Sequence, residues 1–141
     1  MIKVVYWSAT GNTEAMAEAI GAGITAAGKE AEVLTVGNVS AAELKAENVF
    51  ALGCPAMGAE VLEEEEMEPF VAELESSVAG KTIALFGSYG WGDGEWMRNW
   101  VERMENAGAT VLNGEGLMCQ DSPDADGVAA CEALGKQLAE V

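Results

Sequence analysis

Ile2-Lys3-Val4-Val5-Tyr6-Trp7-Ser8-Ala9-Thr10-Gly11-Asn12-Thr13 carries an apolar run of strand character straight into a loop of hydroxyls, an amide and a glycine. Behind it Met16, Ile20 and Ile24 recur every fourth residue among alanines and glutamates, the period of an amphipathic helix. A strand, a polar turn and a helix in that order begin a β-α-β unit. The loop sits on the free backbone N–H groups of a helix start, where donors and dipole both favour an anion. No lysine follows Gly11 as it would in a nucleotide-hydrolysing P-loop, so neutral donors for a single terminal phosphate are the ligand-binding reading. The pattern GxGxxG is absent here as well. A serine/threonine helix cap with no ligand is the other reading of the same residues.

Outward from that stretch, strand-like and helix-like segments alternate to the end of the chain. Residues 32–36 read as a second strand, and residues 49–54 as a third that Pro55 stops. Pro69 opens a helix that turns Phe70, Leu74 and Val78 inward. Residues 81–89 form a fourth strand, and residues 94–107 a helix with Met97, Val101 and Met104 on one face. A fifth strand spans 110–112 and 116–119 with an interruption at Asn113-Gly114. The last helix carries Val128, Cys131, Leu134 and Leu138. Strands separated by helices, with no hairpin between them, imply an α/β fold: a doubly wound, five-stranded parallel sheet covered on both faces. The expectation is one domain over residues 1–141. Ligands in such sheets bind beyond the carboxyl ends of the strands, so the loops after strands one, three, four and five frame the site.

Composition narrows the chemistry. The 24 acids against 7 bases give a net charge of −17, which repels nucleic acid and anionic membranes. It fits steering towards basic partner proteins, and equally a plain solubility role. Histidine is absent, which excludes His-based triads and most transition-metal sites. Cys54, Cys119 and Cys131 form no CxxC pair, so neither a disulfide framework nor a metal site is expected. No apolar run reaches the roughly 20 residues of a membrane span, and the first residues do not read as a signal peptide. The expected location is the cytoplasm.

Two further loops carry chemistry. Cys54-Pro55-Ala56-Met57-Gly58-Ala59-Glu60 follows strand three, and Gly87-Ser88-Tyr89-Gly90-Trp91-Gly92-Asp93-Gly94 follows strand four. Trp91, set among glycines, stands on a loop rim where a planar ligand or a partner protein could cover it. Trp96 and Trp100, four apart on a helix, read as packing residues. In Met57-Gly58-Ala59-Glu60 the glycine takes the first central position, where a type II′ turn needs φ > 0.

Ser8-Ala9-Thr10-Gly11-Asn12-Thr13, Ala56-Met57-Gly58 and Gly87-Ser88-Tyr89-Gly90-Trp91-Gly92 together resemble the short-chain flavodoxins of anaerobic bacteria, over essentially the whole chain. The resemblance implies a sheet of strand order 2-1-3-4-5 and a non-covalently bound FMN. Ser8, Thr10, Asn12 and Thr13, with the backbone of Ala9 and Gly11, would hold the phosphate. Trp91 and Met57 would cover the two faces of the isoalloxazine, with Pro55, Ala56, Gly58 and Ala59 around it. Glu60 would accept from the flavin N3–H, Ser88 and Tyr89 would line the ribityl chain, and the backbone of Gly90 and Gly92 would lie along the ring edge. Gln120 and Asp121 are further candidates after strand five.

Function follows as implication: a low-potential one-electron carrier, monomeric, cycling between semiquinone and hydroquinone among redox partner proteins with basic docking faces. The acids Glu60, Glu63, Glu64, Glu65, Glu66, Asp93 and Glu95 near the flavin would oppose the second electron, and Glu63 to Glu66 form the candidate docking rim. No catalytic set is visible. A flavin-dependent NAD(P)H–quinone reductase of the same fold is the rival enzyme reading. A phospho-acceptor regulator is disfavoured, because Cys54-Pro55 stands where its aspartate is needed.

Overall fold

The computed structural model describes residues 1–141. Its centre is a parallel sheet built from β1 (Ile2–Tyr6), β2 (Ala31–Thr35), β3 (Val49–Gly53), β4 (Thr82–Tyr89), β5 (Thr110–Val111) and β6 (Leu117–Gln120). The strand order is β2-β1-β3-β4-β5, with β6 also paired to β4. Every pairing is parallel. The order 2-1-3-4-5 is therefore as expected, and the last strand is divided. Asn113 and Gly114 take positive φ of 67° and 70° within a 3₁₀ turn at Leu112–Gly114, which breaks the ladder where the interruption was anticipated.

Helices α1 (Asn12–Ala26), α2 (Ala41–Lys45), α3 (Met67–Leu74), α4 (Glu95–Asn106) and α5 (Ala125–Ala139) cover the sheet. Val5, Leu52, Leu85 and Val111 lie in the core with α3 and α4, whereas Val4, Ala51, Ala84 and Phe86 lie in the core with α1 and α5. The alternation is that of a sheet buried on both faces. Met16, Ile20 and Ile24 are fully buried, as their period requires. Helix α3 begins two residues before Pro69, whose missing N–H falls among the first-turn donors that lack partners in any helix. Val78 is buried past that helix's end. Helix α2 was not anticipated. Its signal was present in Ser40-Ala41-Ala42-Glu43, where the Ser40 side chain accepts from the Glu43 N–H.

Helices α1 and α5 lie so close that side chains cannot fit between parts of their backbones. A Cβ on Gly23 would stand 2.0 Å from the Glu132 carbonyl oxygen, and one on Gly135 would stand 2.1 Å from that of Ile20. Neither neighbour can rotate away, since both are backbone. Gly23→Ala is expected to lose about 2–3 kcal/mol by overpacking, despite alanine's better helix propensity. Urea unfolding measures it; an unchanged midpoint would mean the helices separate at little cost.

No helix is long and apolar enough to cross a membrane.

Candidate functional site

Three loops at the carboxyl edge of the sheet, with the turn after β6, enclose a cavity of about 250 Å³. Ser8, Ala9, Thr10, Asn12 and Thr13 come from the first loop, and Pro55, Ala56 and Met57 from the second. Ser88, Tyr89 and Gly90 come from the third, and Asp121 from the last. Gly11, Gly58, Ala59, Glu60, Trp91, Gly92 and Gln120 stand outside that lining.

The first loop is organised by its own side chains. Gly11 caps α1 with φ +93°, a left-handed conformation that glycine adopts without penalty. Ser8 Oγ accepts from the N–H groups of Gly11 (3.1 Å) and Glu14 (3.3 Å). The N–H groups of Thr10, Asn12 and Thr13 find no acceptor within the chain. Three free donors at a helix start make an anion cradle. Thr13 is turned inward: its buried hydroxyl lies 3.1 Å from Ser88 Oγ and ties the first loop to β4.

The second loop departs from the expected type II′ turn. Gly58 does take positive φ, at 42°. The closing hydrogen bonds, however, join Met57 and Val61 in both directions, at 3.0 and 3.1 Å, so the loop is one residue longer. The added residue is Glu60, itself left-handed at φ 56°. Its carboxylate lies where a Cβ on Gly92 would be, 2.1 Å from Oε1. Oε1 is buried and has no hydrogen-bond partner. A desolvated carboxylate oxygen left in this way fits an incoming N–H donor.

Trp91 is 68% exposed on the third loop. Trp96 and Trp100 are buried, as packing residues should be. Trp96 has an additional role that its spacing did not announce. Its Nε1 donates to the Cys54 carbonyl at 3.0 Å and its ring lies 5.8 Å from that of Tyr89, so it braces the second loop against the third. Asp121, left-handed at φ 56°, donates its N–H to the Tyr89 carbonyl at 2.8 Å. Gln120 Nε2 reaches the Gly90 carbonyl at 3.4 Å. Gln120, the final residue of β6, and Asp121 just past it thus both belong to the neighbourhood of the third loop.

Glu63 corrects the docking rim. Only Glu64, Glu65 and Glu66 are exposed, while Glu63 is 7% exposed and faces inward. Its carboxylate accepts from the N–H groups of Glu65, Glu66 and Met67 at 2.7–2.9 Å, capping the entry to α3. Burial pushes its pKa up, but the three N–H donors outweigh that and hold it below the usual carboxylate range. Behind it, Cys54 Sγ accepts from the Glu63 N–H at 3.4 Å. Burial pushes the Cys54 thiol up to about 12, so it is a packing group rather than a nucleophile.

The first loop offers an anion cradle, the second a buried carboxylate oxygen and the third an exposed indole. These fit a phosphorylated compound with a planar, N–H-bearing ring. The family model described as Flavodoxin matches residues 4–135. A flavodoxin of Clostridium beijerinckii is 49% identical over 140 residues, covering 99% of this chain and 100% of the relative. One from Megasphaera elsdenii is 44% identical over 140 residues, 99% of each. The solved structure of two-electron reduced Megasphaera elsdenii flavodoxin superposes with a TM-score of 0.88 at 43% identity, over 100% of both chains.

Proposed function

The chain belongs to the flavodoxin family, whose members bind FMN and carry electrons rather than turn over substrates, and from that premise we propose that it is a low-potential one-electron carrier working between semiquinone and hydroquinone FMN. It acts as a cytoplasmic monomer and exchanges electrons with redox partner proteins that present basic docking faces. The observation that carries this reading is the three-loop site: free N–H donors on the first loop, the unpartnered Glu60 oxygen on the second, and the exposed Trp91 on the third.

In this reading the N–H groups of Thr10, Asn12 and Thr13 bind the phosphate, with the hydroxyl of Thr10 and the amide of Asn12 alongside. Ser8 and Thr13 shape that loop through the bonds they already make. Glu60 fixes the ring edge by accepting its N–H, and Met57 and Trp91 cover the ring faces. When bound, FMN supplies the one-electron chemistry. The chain sets its potential by charge and by exclusion of water.

Net charge decides the direction of that tuning. Glu64, Glu65, Glu66, Asp93 and Glu95 are exposed on the loops and helix starts around the site, and Glu60 stands on its second loop. A unit charge about 10 Å from an added electron opposes it by about 1 kcal/mol at an effective dielectric of about 30. Several such charges lower the second reduction potential, and salt screens the exposed ones. A potentiometric titration of the FMN-loaded protein at two ionic strengths tests the proposal. Two separate one-electron steps are expected, the second moving upwards by tens of millivolts with added salt. A single two-electron step, or steady NADPH oxidation by the protein alone, would instead favour a flavin-dependent reductase.

A further inference from the structure

Helix α4 and the stretch from the 3₁₀ turn into β6 enclose a second groove of about 430 Å³, distinct from the three-loop site. Its floor is apolar. Met97 and Val101 are buried beneath it, and Met118 lines it while remaining 39% exposed. One wall is bare backbone at Gly114 and Gly116, with Gly116 packed directly on Met97.

The rim is acidic. Glu102, Glu105 and Glu115 line the groove, are exposed, and take part in no salt bridge. The only cation there, Arg98, is already bonded to Asp93 through both its carbonyl (2.8 Å) and its carboxylate (3.1 Å). Glu102 and Glu105 are three apart on one helix and close to its C-terminus. Like charges at that spacing repel, and the helix dipole disfavours acids at that end. The acids therefore work against the helix that carries them, and an external cation would relieve them.

We propose that this groove is the docking surface for a lysine- or arginine-rich segment of a partner protein. An aliphatic stem lies along Met97, Val101 and Met118, and its charged head meets Glu102, Glu105 and Glu115. The inference rests on the electron-carrier reading, because the position of the groove is what makes docking there useful. Met118 Sδ lies only 2.6 Å from the point where a Cβ on Gly94 would stand, so the groove opens against the loop that carries Trp91. A partner seated in it therefore lies against the end of the third loop, at Gly94. The acidic turn at Glu64 to Glu66 offers charge as well, but its acids line neither the three-loop site nor this groove.

The test uses oxidised cytochrome c, a small haem protein ringed with lysines, as the probe. Its affinity is measured by calorimetry for the FMN-loaded protein and for two variants with equal charge change. One carries Glu102→Gln, Glu105→Gln and Glu115→Gln, and the other Glu64→Gln, Glu65→Gln and Glu66→Gln. The groove variant is expected to bind at least tenfold more weakly than the acidic-turn variant. Met118→Ala, which changes no charge, is expected to weaken binding severalfold. Equal losses in the two triple variants, a larger loss at the acidic turn, or no affinity of the unmodified protein would overturn the groove. Flavin absorbance of the same samples reports the carrier reading separately. Protein that discriminates at the groove but takes up no flavin would keep the docking surface and remove the carrier.

Discussion

Gly92→Ala is expected to weaken FMN binding about 100-fold while leaving the ligand-free fold nearly intact. A methyl group there would meet Glu60 Oε1 at 2.1 Å and Cδ at 2.7 Å. The obstructed atoms are the far end of a flexible side chain, so Glu60 swings away rather than the loop unfolding. The ring then loses a hydrogen bond to an ionised acceptor, worth about 1.5–3 kcal/mol. Gly92 also holds φ +90°, so alanine adds backbone strain of order 1 kcal/mol. Glu60→Gln, which keeps the shape and removes the charge, should weaken binding by a smaller factor in the same direction. Quenching of flavin fluorescence gives both dissociation constants. If Gly92→Ala binds FMN as tightly as the parent, Glu60 does not hold the ring.

Glu63→Ala is expected to cost about 2–3 kcal/mol of folding stability, a fall of roughly 5–10 °C in thermal midpoint. The substitution strips the partner from three N–H groups at the entry to α3, one of them the buried Met67. The Glu63 N–H keeps its bond to Cys54 Sγ, so the loss falls on the cap. The pH dependence carries the signature of the ionised cap. Because the folded-state pKa of Glu63 is depressed, its contribution is complete above the unfolded carboxylate value of about 4.3. It is lost as pH falls through the lower folded value. The stability gap between parent and variant should therefore be constant from about pH 5 to 8 and close progressively below about pH 4. A gap that persists unchanged into acid would mean the cap acts as a neutral group.

Glu63 also marks where sequence reading stops. Four identical glutamates in a row carry no local signal for which one turns inward. The choice depends on Cys54 Sγ and the helix entry, which the fold brings to that point. The contact of Glu60 with Gly92 is hidden for the same reason, since it joins the loops after two different strands. By contrast the three loops themselves were legible, because in a parallel sheet every strand end points to the same edge. The Asn113-Gly114 break was legible because both residue types tolerate left-handed backbone. Helix α2 escaped notice because five residues are too few to show a period, although its cap was written in Ser40 and Glu43. The brace from Trp96 to the Cys54 carbonyl was legible as burial but not as a hydrogen bond.

Stepwise anaerobic reduction of the FMN-loaded protein, followed by visible absorbance, distinguishes a one-electron carrier from a two-electron reductase. Stoichiometric FMN uptake is expected, with a blue neutral semiquinone that accumulates before the flavin bleaches. Direct two-electron bleaching with no long-wavelength absorbance, or no FMN uptake, would contradict the carrier reading.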